Sequence, residues 1–153
     1  MSDTNLNSKP IYTGTPDIQF SAPILAVATN LYDGAGTLGT DIYVVWRADA
    51  TSGGYLDKIR VKYQANATTT SAATVVKFFL TSVASGAVTA ANCVLIDEVA
   101  IPATGSLTTT ATNPTYDVPM GFAVPAGYAI CAKTTVAQPA SCGLIATGIG
   151  GKY

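Results

Sequence analysis

Tyr55-Leu56-Asp57-Lys58-Ile59-Arg60-Val61-Lys62-Tyr63-Gln64-Ala65 carries the clearest alternation in the chain. Ile59, Val61 and Tyr63 occupy every second position, with Lys58, Arg60, Lys62 and Gln64 between them. Successive side chains on a strand point to opposite faces. The stretch therefore predicts a half-buried strand, apolar on one side and cationic on the other. On that alternation Tyr55 shares the face of Tyr63, opposite the cations.

The same reading extends outward. Ile24–Asn30, Asp41–Arg47, Ala73–Leu80, Val94–Ile101, Thr115–Val124, Tyr128–Thr135 and Gly143–Ile149 are further strand candidates, about eight in all. In Asp41–Arg47 the alternation puts Ile42, Val44 and Trp46 together, with Trp46 expected in the core, and Tyr43, Val45 and Arg47 opposite. Pro119 and Gly121 mark Thr115–Val124 as an edge or a bend. Gly148-Ile149-Gly150-Gly151 reads as a strand end and tail. Turn-rich linkers such as Ser52-Gly53-Gly54, Ser85-Gly86 and Pro125-Ala126-Gly127 separate the strands. The chain holds a single Glu, so helix-favouring charged residues are scarce while β-branched ones abound. The expected class is all-β: one β-sandwich or barrel domain over residues 24–153, with long connections that suit a jelly-roll-like sandwich better than a meander.

Residues 1–23 differ in character. Pro10, Pro16 and Pro23 sit among polar residues and predict an extended N-terminal arm, either a tail or a strap over a neighbour. Ile11, Tyr12, Ile18 and Phe20 are apolar side chains in that polar setting and need something to bury against.

Composition narrows the chemistry. The chain has no histidine, eight Lys+Arg against nine Asp+Glu, and a formal net charge of −1. A nonspecific grip on nucleic acid calls for a basic excess that is missing. No stretch is long and apolar enough to span a bilayer as a helix, and the polar start lacks the pattern of a secretion signal. The expectation is a soluble product made in a cytoplasm, with neither membrane nor nucleic acid as partner.

General acid–base catalysis most often uses His. Asp97-Glu98 is the one adjacent carboxylate pair, and neighbours on a strand diverge. Cys131 has Lys133 on its own face as a cation that would favour a thiolate. Against that stands the reading of Cys93, Cys131 and Cys142 as buried structural thiols, since their odd number and spacing fit neither a disulfide framework nor a zinc site. Asp33, Asp41 and Asp49 lack the spacing of a calcium loop. Asn66-Ala67-Thr68 matches a glycosylation sequon, which matters only in a secreted eukaryotic chain. The expectation is a protein without enzymatic activity, cofactor or metal.

The Lys58/Arg60/Lys62 row is either a solvated face that resists edge pairing or a docking ladder for an acidic protein surface. Three cations in line repel one another, so something should offset them.

Leu31-Tyr32-Asp33-Gly34-Ala35-Gly36-Thr37, Leu56-Asp57-Lys58-Ile59-Arg60-Val61-Lys62, Leu95 to Thr104, Val124-Pro125-Ala126-Gly127-Tyr128 and Ala146 to Tyr153 occur in that order. The arrangement, spanning Leu31 to Tyr153, resembles small virion proteins of tailed bacteriophages that decorate or cement the capsid. The resemblance implies a β-sandwich or jelly-roll protein, assembled as a homotrimer on the capsid exterior, with the major capsid protein as partner. It carries no catalytic residues. The contact residues expected are Lys58, Arg60 and Lys62 with Ile11, Tyr12, Ile18 and Phe20 of the arm, which lies outside the matching stretch. Related β-sandwich modules serve phage tail fibres, so receptor or carbohydrate binding is the competing expectation; eight Tyr and one Trp leave it open.

Overall fold

The computed structural model describes residues 14–25, 34–65, 68–105, 107, 110 and 112–153. Ten strands are present among them: β1 (Thr15–Phe20), β2 (Gly36–Thr37), β3 (Tyr43–Arg47), β4 (Gly54–Ala65), β5 (Thr74–Thr81), β6 (Ala87–Val88), β7 (Cys93–Ile101), β8 (Thr115–Val124), β9 (Ala129–Thr134) and β10 (Cys142–Lys152). The all-β class expected from composition is what the chain adopts.

Eight strands form two antiparallel four-stranded sheets, ordered β1-β10-β4-β8 and β3-β9-β5-β7; β2 and β6 pair separately as a short ribbon. Chain neighbours such as β4 and β5 lie in different sheets, so most pairings are non-local. The order is compatible with the jelly-roll-like sandwich expected.

The inward residues of both sheets meet in one core. Ile59, Val61 and Tyr63 from β4 and Leu144 and Ala146 from β10 pack with Trp46, Val76, Phe78 and Ile130. Fully burying a large apolar side chain of this kind contributes about 1.5–3 kcal/mol. One rim is closed by a side chain rather than a strand. Gln19 of β1 donates Nε2–H to the Arg47 carbonyl at 2.8 Å and accepts the Arg47 N–H at 3.0 Å, tying the edge of one sheet to the edge of the other.

The two outer faces differ. A second cluster of Ile42, Phe79, Val88, Ala129 and Cys131 sits outside the β3-β9-β5-β7 sheet and includes Val88 of the β2/β6 ribbon. All six residues of β9 are accordingly buried. The β1-β10-β4-β8 sheet has no comparable apolar cluster on its outer face among the described residues.

Several local expectations change. Thr15–Phe20, read as part of an extended arm, is extended as the edge strand β1 of the domain's own sheet. Ile24 bridges Leu144, while most of the strand expected over Ile24–Asn30 lies outside the described residues. Pairing of β3 with β9 skips Val45, a bulge that sends Trp46 inward with Tyr43 while Ile42 and Val44 join the outer cluster. Trp46 is in the core as expected, on the face opposite its presumed companions. The Gly148–Gly151 stretch is strand rather than tail, since β10 runs to Lys152. Its glycines are there for space: a Cβ at Gly148 would lie 2.6 Å from Trp46 Cβ, and one at Gly150 would collide with the Tyr55 carbonyl.

Candidate protein-contact surface

The outer face of the β1-β10-β4-β8 sheet gathers five of the seven expected contact residues. Register places Ile18 opposite Ile149, which lies opposite Lys58, which lies opposite Pro119. The next outward row runs Phe20, Thr147, Arg60, Asp117, and Lys62 stands opposite Ile145 and Thr115. Residues directly opposite on neighbouring strands share a face, and strands lie about 4.8 Å apart, so the apolar pair on β1 sits about 10 Å from the cationic row. Ile18 is 65% exposed and Phe20 73% exposed, high values for side chains of that size. Ile11 and Tyr12 lie outside the described residues.

The offset that the cationic row requires comes from β8. Asp117 accepts Arg60 Nε–H at 2.7 Å and an Arg60 Nη2–H at 2.8 Å, a two-point contact, and lies 3.5 Å from Lys58 Nζ. The Arg60 hydrogen bonds hold the Asp117 carboxyl at about 2, below its ordinary range. In turn Asp117 raises the Arg60 guanidinium further above its usual value. Asp117 thus neutralises one of three charges, and Lys62, facing Thr115, keeps its own. A shallow cavity lined by Arg60, Lys62, Tyr63, Gln64, Ile145 and Thr147 opens on this face. The sequence offered no sign of the Asp117 contact, because the two residues are 57 positions apart.

Tyr55 is a correction. Both neighbours of β4 skip Asp57 in their pairing, so the strand is bulged there. The extra residue reverses the parity on its N-terminal side. Gly54 and Leu56 face inward, and Tyr55, 37% exposed, joins the outward side with the cations instead of sharing the face of Tyr63.

The residues weighed for chemistry are placed as follows. Cys131 is fully buried, and burial pushes its thiol up to about 12. Lys133, also fully buried, donates to the Ala35 carbonyl at 3.3 Å and lies 5.6 Å from the centre of the Phe79 ring. Cys142 is buried and Cys93 half-buried, and none of the three cysteines is in a disulfide. Asp97 accepts the Glu98 N–H at 2.7 Å while the Glu98 carboxylate pairs with Lys77 at 3.7 Å, so the two carboxylates serve different partners. Asp49 caps its own turn through Thr51 and Ser52, and those backbone hydrogen bonds lower its carboxyl. Asp41 accepts the Thr37 N–H at 2.9 Å. Among the described residues no group of three or more His, Cys, Asp or Glu is arranged to hold a metal ion, and no helix is long and apolar enough to cross a membrane.

Comparison with protein-family models, with curated proteins and with solved structures finds no match to the chain.

Proposed function

We propose that the protein is a structural virion component that decorates or cements the outside of a bacteriophage capsid, docking on the major capsid protein shell through the outer face of the β1-β10-β4-β8 sheet. The observation that carries this reading is the convergence of Ile18, Phe20, Lys58, Arg60 and Lys62 on one sheet face that no other described element covers. An apolar strip beside a partly neutralised cationic row supplies area to bury and a charge that selects an acidic partner. The resemblance to phage decoration proteins supports the same reading. Each copy needs only modest affinity, because a shell offers many sites.

The test is cosedimentation of the purified protein with shells assembled from the major capsid protein of the same phage. Phe20→Lys and Lys62→Glu are each expected to weaken binding by about tenfold, equivalent to about 1.4 kcal/mol, with unchanged circular dichroism. Binding should also weaken with rising salt. Wild-type protein that fails to sediment with the shells, or variants that bind as tightly as wild type, would sink the proposal.

Tyr55 favours a second reading, a tail-fibre module that binds a receptor glycan, since an outward aromatic beside polar groups suits stacking on a sugar ring. A glycan array separates the two: saccharide binding lost in Tyr55→Ala, without shell binding, selects the second.

A further inference from the structure

β1 is built inside out. Its inner-face side chains include Asp17 and Gln19, both half-buried, while Ile18 and Phe20 point outward and are the two most exposed large apolar side chains described. Among the described residues, no side chain of β1 belongs to either apolar cluster. What holds β1 is its backbone pairing with β10, the Gln19 bonds to Arg47, and a 3.7 Å ion pair of Asp17 with Lys152. An element with so little apolar burial opens at lower free energy than the whole domain.

The pairing is broken just beyond β1. Ser21 donates its N–H to the Ala146 carbonyl at 2.9 Å, and its Oγ accepts the Ala146 N–H at 3.1 Å. Ile24, fully buried in the main core, donates its N–H to the Leu144 carbonyl at 2.8 Å. The chain therefore takes one residue more than β10 to run from the first contact to the second. The surplus falls at Ala22-Pro23, both exposed, and Pro23 has no N–H to pair. The core anchor of this segment is Ile24; the strand before it is held at the edge alone.

We infer that Thr15–Ser21 is an exchangeable strand: hinged at Ala22-Pro23, it leaves its own β10 and takes the same place on β10 of a second copy. Its departure uncovers a row of backbone donors and acceptors on β10, a template for another strand. The occupant is set by what already fits that edge. β1 pairs from Thr15 opposite Lys152 to Phe20 opposite Thr147, Asp17 meets Lys152, Gln19 bonds the Arg47 backbone, and Ser21 bonds Ala146. A second copy offers all of these contacts in the same register, whereas a foreign strand has to supply a matching glutamine and carboxylate. Exchange replaces each contact by its equal, so only the hinge and the association itself change the free energy. It fills where copies are held at high local concentration, as on a repeating surface. Ile18 and Phe20 return to the same outer face. The inference does not depend on the capsid reading, and its test uses the isolated protein.

Residues directly opposite on antiparallel strands have Cα atoms about 4.5–5.5 Å apart, within reach of a disulfide. Ile18 and Ile149 are such a pair. A chain carrying Ile18→Cys and a second, size-tagged chain carrying Ile149→Cys are mixed at about 1 mM in a glutathione redox buffer, which lets mismatched disulfides reshuffle. Non-reducing electrophoresis is expected to show the two different chains joined, in about tenfold excess over the product of Ile18→Cys with Ile145→Cys, four residues off register on the same strand. Circular dichroism confirms the fold of each variant. A chain carrying both Ile18→Cys and Ile149→Cys, oxidised while dilute, locks β1 on its own β10. It should stay monomeric in sedimentation velocity at about 1 mM, where wild type sediments faster than when dilute. Amide hydrogens of Ile18–Phe20 should exchange about a hundredfold faster than those of Ile59–Val61 in β4. No product joining the two chains, equal cross-linking off register, association of the locked chain to the wild-type extent, or β1 amides as protected as those of β4 would each overturn the inference.

Discussion

Replacing Gly148 by alanine tests how tightly Trp46 is held. Gly148 sits on β10 facing the core, and its φ is outside the left-handed region, so backbone conformation does not forbid a side chain. With room available, the exchange would stabilise the fold by about 0.4–1 kcal/mol by restricting the unfolded chain. The added Cβ, however, would lie 2.6 Å from Trp46 Cβ, 3.0 Å from Cγ and 3.1 Å from Cδ1. Carbon atoms pack at about 3.5–4.0 Å. The closest atom is one bond from the Trp46 backbone, so rotation of the ring leaves it in place and the strand itself must shift. Overpacking of this kind costs about 1–3 kcal/mol, and an overlap near 1 Å on an immobile atom belongs in the upper half of that range. The net expectation is a loss of about 1–2.5 kcal/mol, or a fall of about 3–8 °C in Tm for a chain of this size. Gly105 supplies the control, since its Cβ would meet nothing within 4 Å. Gly105→Ala should be neutral or stabilising by up to about 1 kcal/mol. Urea denaturation with unchanged m-values measures both. A Gly148→Ala protein as stable as wild type would refute the reasoning, because Trp46 would then be loosely packed.

Two further outcomes follow from the charged and buried groups. The Asp117 carboxyl titrates at about 2 in the folded chain against an ordinary 3.8. Its contribution to stability is therefore whole above 3.8 and disappears as pH falls through about 2. Asp117→Asn should remove that part of the acid dependence, and a variant whose stability still falls with wild-type slope between those values would show that the contact contributes nothing. Burial of the Cys131 thiol, pushed to about 12, leaves about one part in ten thousand as thiolate at pH 8. Thiol titration of the native protein should label Cys93 ahead of Cys131, with Cys131 labelled at a normal rate only in denaturant; equal native rates would contradict the burial.

Much of the β4 face was legible in the sequence. From Lys58 to Gln64 the alternation predicts the burial observed, because a strand's two-residue period is a local property of the backbone. Thr115–Val124 was marked as an edge or a bend by Pro119 and Gly121, and it is the edge strand β8, since a proline cannot serve a central strand. Tyr55 and the companions of Trp46, Ile42 and Val44, were put on the wrong face for one shared reason. A bulge adds a residue to one strand and reverses its parity, and a bulge exists only relative to the partner strand, which short-range patterning does not identify.

The same distinction separates what the sequence alone determined from what the tertiary structure decided. Composition and local alternation determined an all-β chain, its strong strands, and the presence of a cationic row and of orphaned apolar residues near the N-terminus. Only the tertiary structure put Ile18 and Phe20 beside Lys58 and Arg60, with β10 between them, and set Asp117 against Arg60. Side-chain direction along a strand follows from chain geometry over two residues. Neighbourhood across a sheet depends on register between segments far apart in the chain, chosen by how the whole core packs.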